Sequence, residues 1–139
     1  MTPKEYLQQY EFSVRQVRAI QDHIDSLRAM AERTTPAYGA SEGSGSHAVS
    51  DKLGAAVAKI IDAEERLGYE LELLEATERE VSKTISQVSD GTLRTLLYER
   101  YINCKKWEQI AVDMNYSFRG VTKMHGRALQ AVQEIMMRL

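Results

Sequence analysis

The sequence predicts an all-α chain: a long, coiled-coil-like helical hairpin over residues 1–88, then a C-terminal helix-turn-helix module over residues 90–139. Three observations carry that expectation. Two apolar stripes advance in steps of three and four for tens of residues, with no stretch of strand-like alternation. A Gly/Ser-rich segment at 34–50 separates the stripes. After Asp90 a third apolar pattern restarts in short pieces punctuated by turn residues.

The first helix is predicted to start at Thr2-Pro3-Lys4-Glu5. Thr2 can cap, Pro3 suits a first turn whose N–H groups are unpaired anyway, and Glu5 completes a capping box. Its stripe is Leu7, Tyr10, Val14, Val17, Ile20, Ile24, Leu27 and Ala31, and its expected end is Thr34-Thr35-Pro36. Residues 34–50, with three glycines, four serines and a proline, read as a flexible connector. Ser50 or Asp51 can cap a second helix with the seam Leu53, Val57, Ile60, Glu64, Leu67, Leu71, Leu74, Glu78, Val81, Ile85 and Val88. Glu64 and Glu78 interrupt it, either as polar register positions or as points where the seam drifts to Ala63 and Thr77; drift is the favoured alternative. Helices of about 31 and 38 residues are roughly 46 and 57 Å long, too long for so small a chain to cover, so they are expected to cover each other. Apolar surface left over on such a pair suits a second copy, most simply in a dimer.

Beyond Asp90, itself a cap by residue type, Leu93, Leu96, Leu97 and Tyr101 form a short helical face. Asn103-Cys104-Lys105-Lys106 separates this piece from a helix over Trp107 to Met114. Asn115 is suited to a left-handed turn and Ser117 to capping the last helix. The spacing is that of a helix-turn-helix: Ile110 and Met114 inside the first helix, Ala111 at the close approach, Tyr116 packed behind the turn, Val121 and Met124 on the buried face of the second. Leu129, Val132, Ile135, Met136 and Leu139 continue the apolar face.

Charge is distributed unevenly. Residues 1–90 carry ten basic against sixteen acidic side chains, net −6, while 91–139 carry eight against four, net +4. A polyanion would meet the C-terminal third. With 139 residues, 43% apolar and 27% charged, the composition is that of a globular protein. No apolar run approaches the roughly 18 residues of a membrane span, and MTPKEYLQQYEF is unlike a secretory signal, so a cytoplasmic location without a membrane partner is expected. The lone Cys104 and the scattered His23, His47 and His125 offer neither a disulfide nor a metal-ligand cluster. No phosphate-binding glycine loop, HExxH or nucleophile grouping is present, so neither an enzyme nor a cofactor is expected.

Residues Leu93 to Leu129 resemble region 4 of bacterial sigma factors. The similarity rests on Tyr98-Glu99-Arg100-Tyr101, on Trp107-Glu108-Gln109-Ile110-Ala111, and on a capped helix ending in Arg127-Ala128-Leu129. The whole arrangement is similar to the small phage and prophage regulators of Gram-positive bacteria related to the ArpU and RinA late-transcription activators, with Lys106 standing where a capping threonine is common. The resemblance implies a sequence-specific, duplex-DNA-binding transcription regulator of phage late genes, acting in the bacterial cytoplasm as a homo-oligomer and able to contact host RNA polymerase. It implies a second helix entering the major groove with Ser117, Phe118, Arg119, Thr122, Lys123 and Arg127 on the groove side, Lys105 and Lys106 along the backbone, and Gly120 allowing close approach. Gly126 is assigned to helix packing or to no role. The alternatives are a small-terminase-like DNA-packaging subunit and a region-4 mimic that binds polymerase without reading DNA.

Overall fold

The computed structural model describes residues 1–40 and 45–138, with side chains placed for 1–33 and 50–138. Every regular element in them is helical: α1 (Pro3–Ala40), α2 (Gly45–Ser86), α3 (Gly91–Leu97), a π-helical turn (Tyr98–Ile102), α4 (Trp107–Met114) and α5 (Phe118–Met137). Among the described residues, no helix is long and apolar enough to cross a membrane.

α1 starts where its cap predicts, the Glu5 amide donating to Thr2 Oγ1 at 3.1 Å. Two expected boundaries are corrected. α1 does not stop at Thr34-Thr35-Pro36 but reaches Ala40, and α2 begins at Gly45 rather than at Ser50. Proline's fixed φ is itself helical, and an interior proline costs a helix the bond of its missing N–H and the crowding of its ring against the preceding turn, a penalty rather than a prohibition. The connector expected at 34–50 is therefore helical at both ends, and residues 41–44 lie outside the described residues. The predicted drift of the α2 seam is present: Ala63 and Thr77 are buried while Glu64 and Glu78 are exposed.

The chain divides into two compact units, residues 15–72 and residues 1–14 with 73–139. The expected division at 88–90 therefore does not coincide with the units. In the first, Ile24, Leu27 and Ala63 form a small core flanked by Ile20, Ile60 and Leu67. Arg28 bonds Glu64 at 2.7 Å, while Met30 and Arg33 share a groove with Lys52 and Lys59, so these segments of α1 and α2 run in opposite directions.

The second unit has the larger core. Leu7 of α1 and Val81, Ile85 and Val88 of α2 are buried in one cluster with Leu93, Leu96, Leu97, Tyr101, Ile110, Val121, Ala128, Val132 and Ile135. The Tyr6 hydroxyl bonds Thr84 Oγ1 at 2.9 Å across the same packing. The end segments of the long helices thus belong to the C-terminal body because their apolar residues are spent in its core. Asp90 caps α3, accepting from the Thr92 and Leu93 amides at 2.9 and 3.1 Å. A π turn follows where α-helix was expected: the Asn103 amide reaches the Tyr98 carbonyl at 2.9 Å, and Cys104 turns the chain at φ 56°.

Candidate nucleic-acid interface

α4 starts at Lys106, whose extended backbone (φ −72°, ψ 150°) is in cap geometry but whose side chain caps nothing. At its other end Asn115 sits in the left-handed region (φ 59°, ψ 39°), where asparagine is tolerated better than most non-glycine residues. The Tyr116 amide reaches back to the Ala111 carbonyl at 3.0 Å and the Asn115 amide to the Val112 carbonyl at 3.2 Å, the paired bonds of a Schellman ending. Two residues later Ser117 opens α5, its hydroxyl accepting from the Gly120 amide at 2.9 Å. One chain reversal, closed by a left-handed residue and reopened by a serine cap, sets α5 against α4.

The buried side of this pair is Ile110 and Ala111 on α4 with Val121, Met124 and Ala128 on α5, at the positions expected from spacing. Ala111 is buried where the two helices meet, and Met114 is half-buried. Helical geometry then turns Phe118, Arg119, Thr122, Lys123 and Arg127 outward, and all five are exposed. Among the described residues, no carboxylate lies within ion-pair distance of Arg119, Lys123 or Arg127. Lys123 and Arg127, one turn apart, border an open groove of about 360 Å³ that Asp90, Thr92 and Tyr116 also line. The Thr122 hydroxyl donates to the Phe118 carbonyl at 2.9 Å.

Three expectations change. Tyr116 is not packed behind the turn: it is 46% exposed and lines the groove beside Lys123 and Arg127. Lys105 is not poised for a phosphate; its ammonium bridges Glu99 and Asp113, at 3.2 Å from the latter. Those hydrogen bonds, to Glu99 first and Asp113 second, raise the Lys105 pKa, and Asp113 is lowered by Gln109 and then Lys105. Gly120 has a local reason, since a Cβ there would lie 3.1 Å from the capping Ser117 oxygen. Of the two assignments left open for Gly126, the one without a role fits: among the described residues an added Cβ would meet nothing within 4 Å. Lys106 remains exposed.

Behind α5 lies a cluster that sequence reasoning missed. Tyr101 and His125 share a hydrogen bond of 2.6 Å from hydroxyl to Nε2, Trp107 tilts onto His125 with ring centres 4.5 Å apart, and the Arg100 guanidinium sits 4.8 Å over Trp107. Burial, aided by the positive charges of Lys4 and Arg100, lowers the His125 pKa from 6.5 to about 4; burial raises Tyr101 to about 12. The cluster ties the π turn, α4 and α5 together and fixes the back of the helix whose front carries the basic residues. The one sequence signal was the spacing of Tyr101, Trp107 and His125 on three successive helical pieces, which means little until the turns are known.

No protein-family model, no curated protein and no solved structure matches this chain.

Proposed function

We propose that this chain is a sequence-specific duplex-DNA-binding transcription regulator, in which α4 and α5 act as a helix-turn-helix and α5 enters the major groove. The observation that carries the reading is the exposed, unpaired set Arg119, Lys123 and Arg127 on one face of a serine-capped helix whose opposite face is buried. Exposed cations without internal partners gain from releasing counterions on a polyanion. The free amides of the first α5 turn, with Ser117, favour a phosphate there, Thr122 offers a methyl to a thymine, and Phe118 stands beside them. Lys106 is kept as a backbone contact; Lys105, already paired twice, is not. The resemblance to sigma region 4 and to ArpU/RinA-type phage regulators supports the same reading and adds late-gene control. The segments of α1 and α2 in residues 15–72, as a helical hairpin, would serve self-association.

A second reading, a region-4-like module that docks on polymerase without reading DNA, is favoured by one observation: two large apolar side chains of this module stand open, Val112 of α4 at 71% and Phe118 of α5 at 54% exposed. Selection of bound duplexes from a random pool separates the two. Enrichment of a defined site supports the regulator; polymerase capture with no enriched sequence supports the mimic and refutes the regulator.

A further inference from the structure

α2 carries two heptad seams within residues 53–72. One, through Ala56, Ile60, Ala63 and Leu67, is buried or half-buried against α1. The other lies about 100° around the helix and runs Gly54, Val57, Ile61, Glu64, Gly68, Leu71 in steps of three and four. Apart from Glu64, which Arg28 of α1 holds at 2.7 Å, its larger side chains stand open among the described residues: Val57 is 44%, Ile61 52% and Leu71 39% exposed. Among the described residues nothing accounts for its two glycines, for an added Cβ would meet nothing within 4 Å at either. Glycine is the poorest helix former after proline, so two of them on one seam of a long helix call for a role outside it.

We infer that this seam is the contact between two copies of the chain, with α2 packed antiparallel on α2 of the second copy, Gly54 opposite Leu71 and Val57 opposite Gly68. The order of side chains selects both occupant and direction. Antiparallel pairing about Ile61 and Glu64 sets each glycine against a larger apolar side chain, the large-against-small alternation of a filled core. Parallel pairing in register sets glycine on glycine, which leaves voids, and Glu64 on Glu64, which brings two carboxylates together. In the antiparallel arrangement Glu64 meets Ile61 of the second copy and keeps its 2.7 Å bond to Arg28, so no carboxylate is buried without a partner. Residues 54–71 span about 26 Å, and a strip roughly 10 Å wide on each copy gives a contact on the order of 500 Å². That is below the roughly 1,000 Å² of a firm specific interface, so the pairing is weak and concentration-dependent. The inference gives a surface to the self-association included in the proposed function, and it does not depend on the DNA reading.

Sedimentation equilibrium on the full chain should show a monomer–dimer equilibrium that Ile61→Glu weakens at least tenfold, with far-UV circular dichroism unchanged because Ile61 is outside the chain's own core. In a Cys104→Ser background, a mixture of Gly54→Cys and Leu71→Cys chains treated with a short bismaleimide should give the mixed 54-to-71 product. Products joining 54 to 54 and 71 to 71 in preference to it would overturn the antiparallel order. A dimer indifferent to Ile61→Glu would overturn the face while leaving self-association standing. A chain that stays monomeric up to about 1 mM would remove both. None of these results bears on DNA affinity, which is read on α5.

Discussion

His125 makes the stability of the C-terminal unit depend on pH in a way its variant should abolish. In the unfolded chain an imidazole titrates near 6.5; in the folded one burial, with Lys4 and Arg100, holds His125 neutral down to about 4. As pH falls from 6.5 toward 4 the unfolded state therefore binds more protons than the folded state, and stability falls with pH across that window. For the full shift, linkage gives a loss of about 2 kcal/mol between pH 7 and pH 5. The ring is only half-buried, and solvent screening brings the expected loss to about 1 kcal/mol. Trp107, the single tryptophan, lies 4.5 Å from the imidazole, so its fluorescence in urea titrations reports this unit directly. His125→Gln removes the titrating group and leaves every carboxylate in place, so subtracting the two pH profiles cancels the carboxylate contribution. The variant will be less stable at pH 7 for want of the ring packing, but its profile from pH 7 to 5 should be flatter by about 1 kcal/mol. Parallel profiles, or a His125 ring that titrates near 6.5 by NMR, would refute the argument.

Leu7→Ala should destabilise the unit containing α3 to α5 by about 2–4 kcal/mol, since Leu7 is fully buried in that core; a loss below about 0.5 kcal/mol in urea unfolding would contradict the placement of α1's first turns there. Gly126→Ala should stabilise by up to about 1 kcal/mol, having open space and a better helix former. Gly120→Ala should gain less than Gly126→Ala, or lose stability, because its methyl presses on the Ser117 cap; equal gains in thermal melts would contradict that local account. Ala111→Leu should cost about 1–3 kcal/mol by overfilling the meeting of α4 and α5, checked by the same melts.

What could be read from the chain alone was local. Thr2, Asp90 and Ser117 cap because a short oxygen-bearing side chain beside a helix start has one obvious partner, and Asn115 turns left-handed because few other residues can. The drift of the α2 seam to Ala63 and Thr77 was legible because 3.6 residues per turn do not keep step with a seven-residue repeat. Illegible features depend on partners distant in sequence. Leu7 belongs to one continuous stripe, and periodicity does not say that its partners are Val81 and Ile85 rather than more of the same hairpin. Lys105 looked like any exposed cation until the π turn and Cys104 brought Glu99 and Asp113 to it. Pro36 misled because a rule about helix interiors states a cost, and a long helix can bear it. The outward set Arg119, Thr122, Lys123 and Arg127 was predictable, since three buried positions on a helix determine its opposite face.

The measurement nearest the central claim is duplex-DNA affinity as a function of salt for the full chain and for the triple variant Arg119→Ala/Lys123→Ala/Arg127→Ala, on a selected site and on a scrambled one. If these side chains are the reading face, the variant keeps its helicity and loses preference for the selected site. The slope of log affinity against log salt then falls in magnitude by up to about 2.7, roughly 0.9 for each phosphate no longer neutralised. A triple variant that binds both duplexes as the parent chain does, with the same salt slope, would contradict the account.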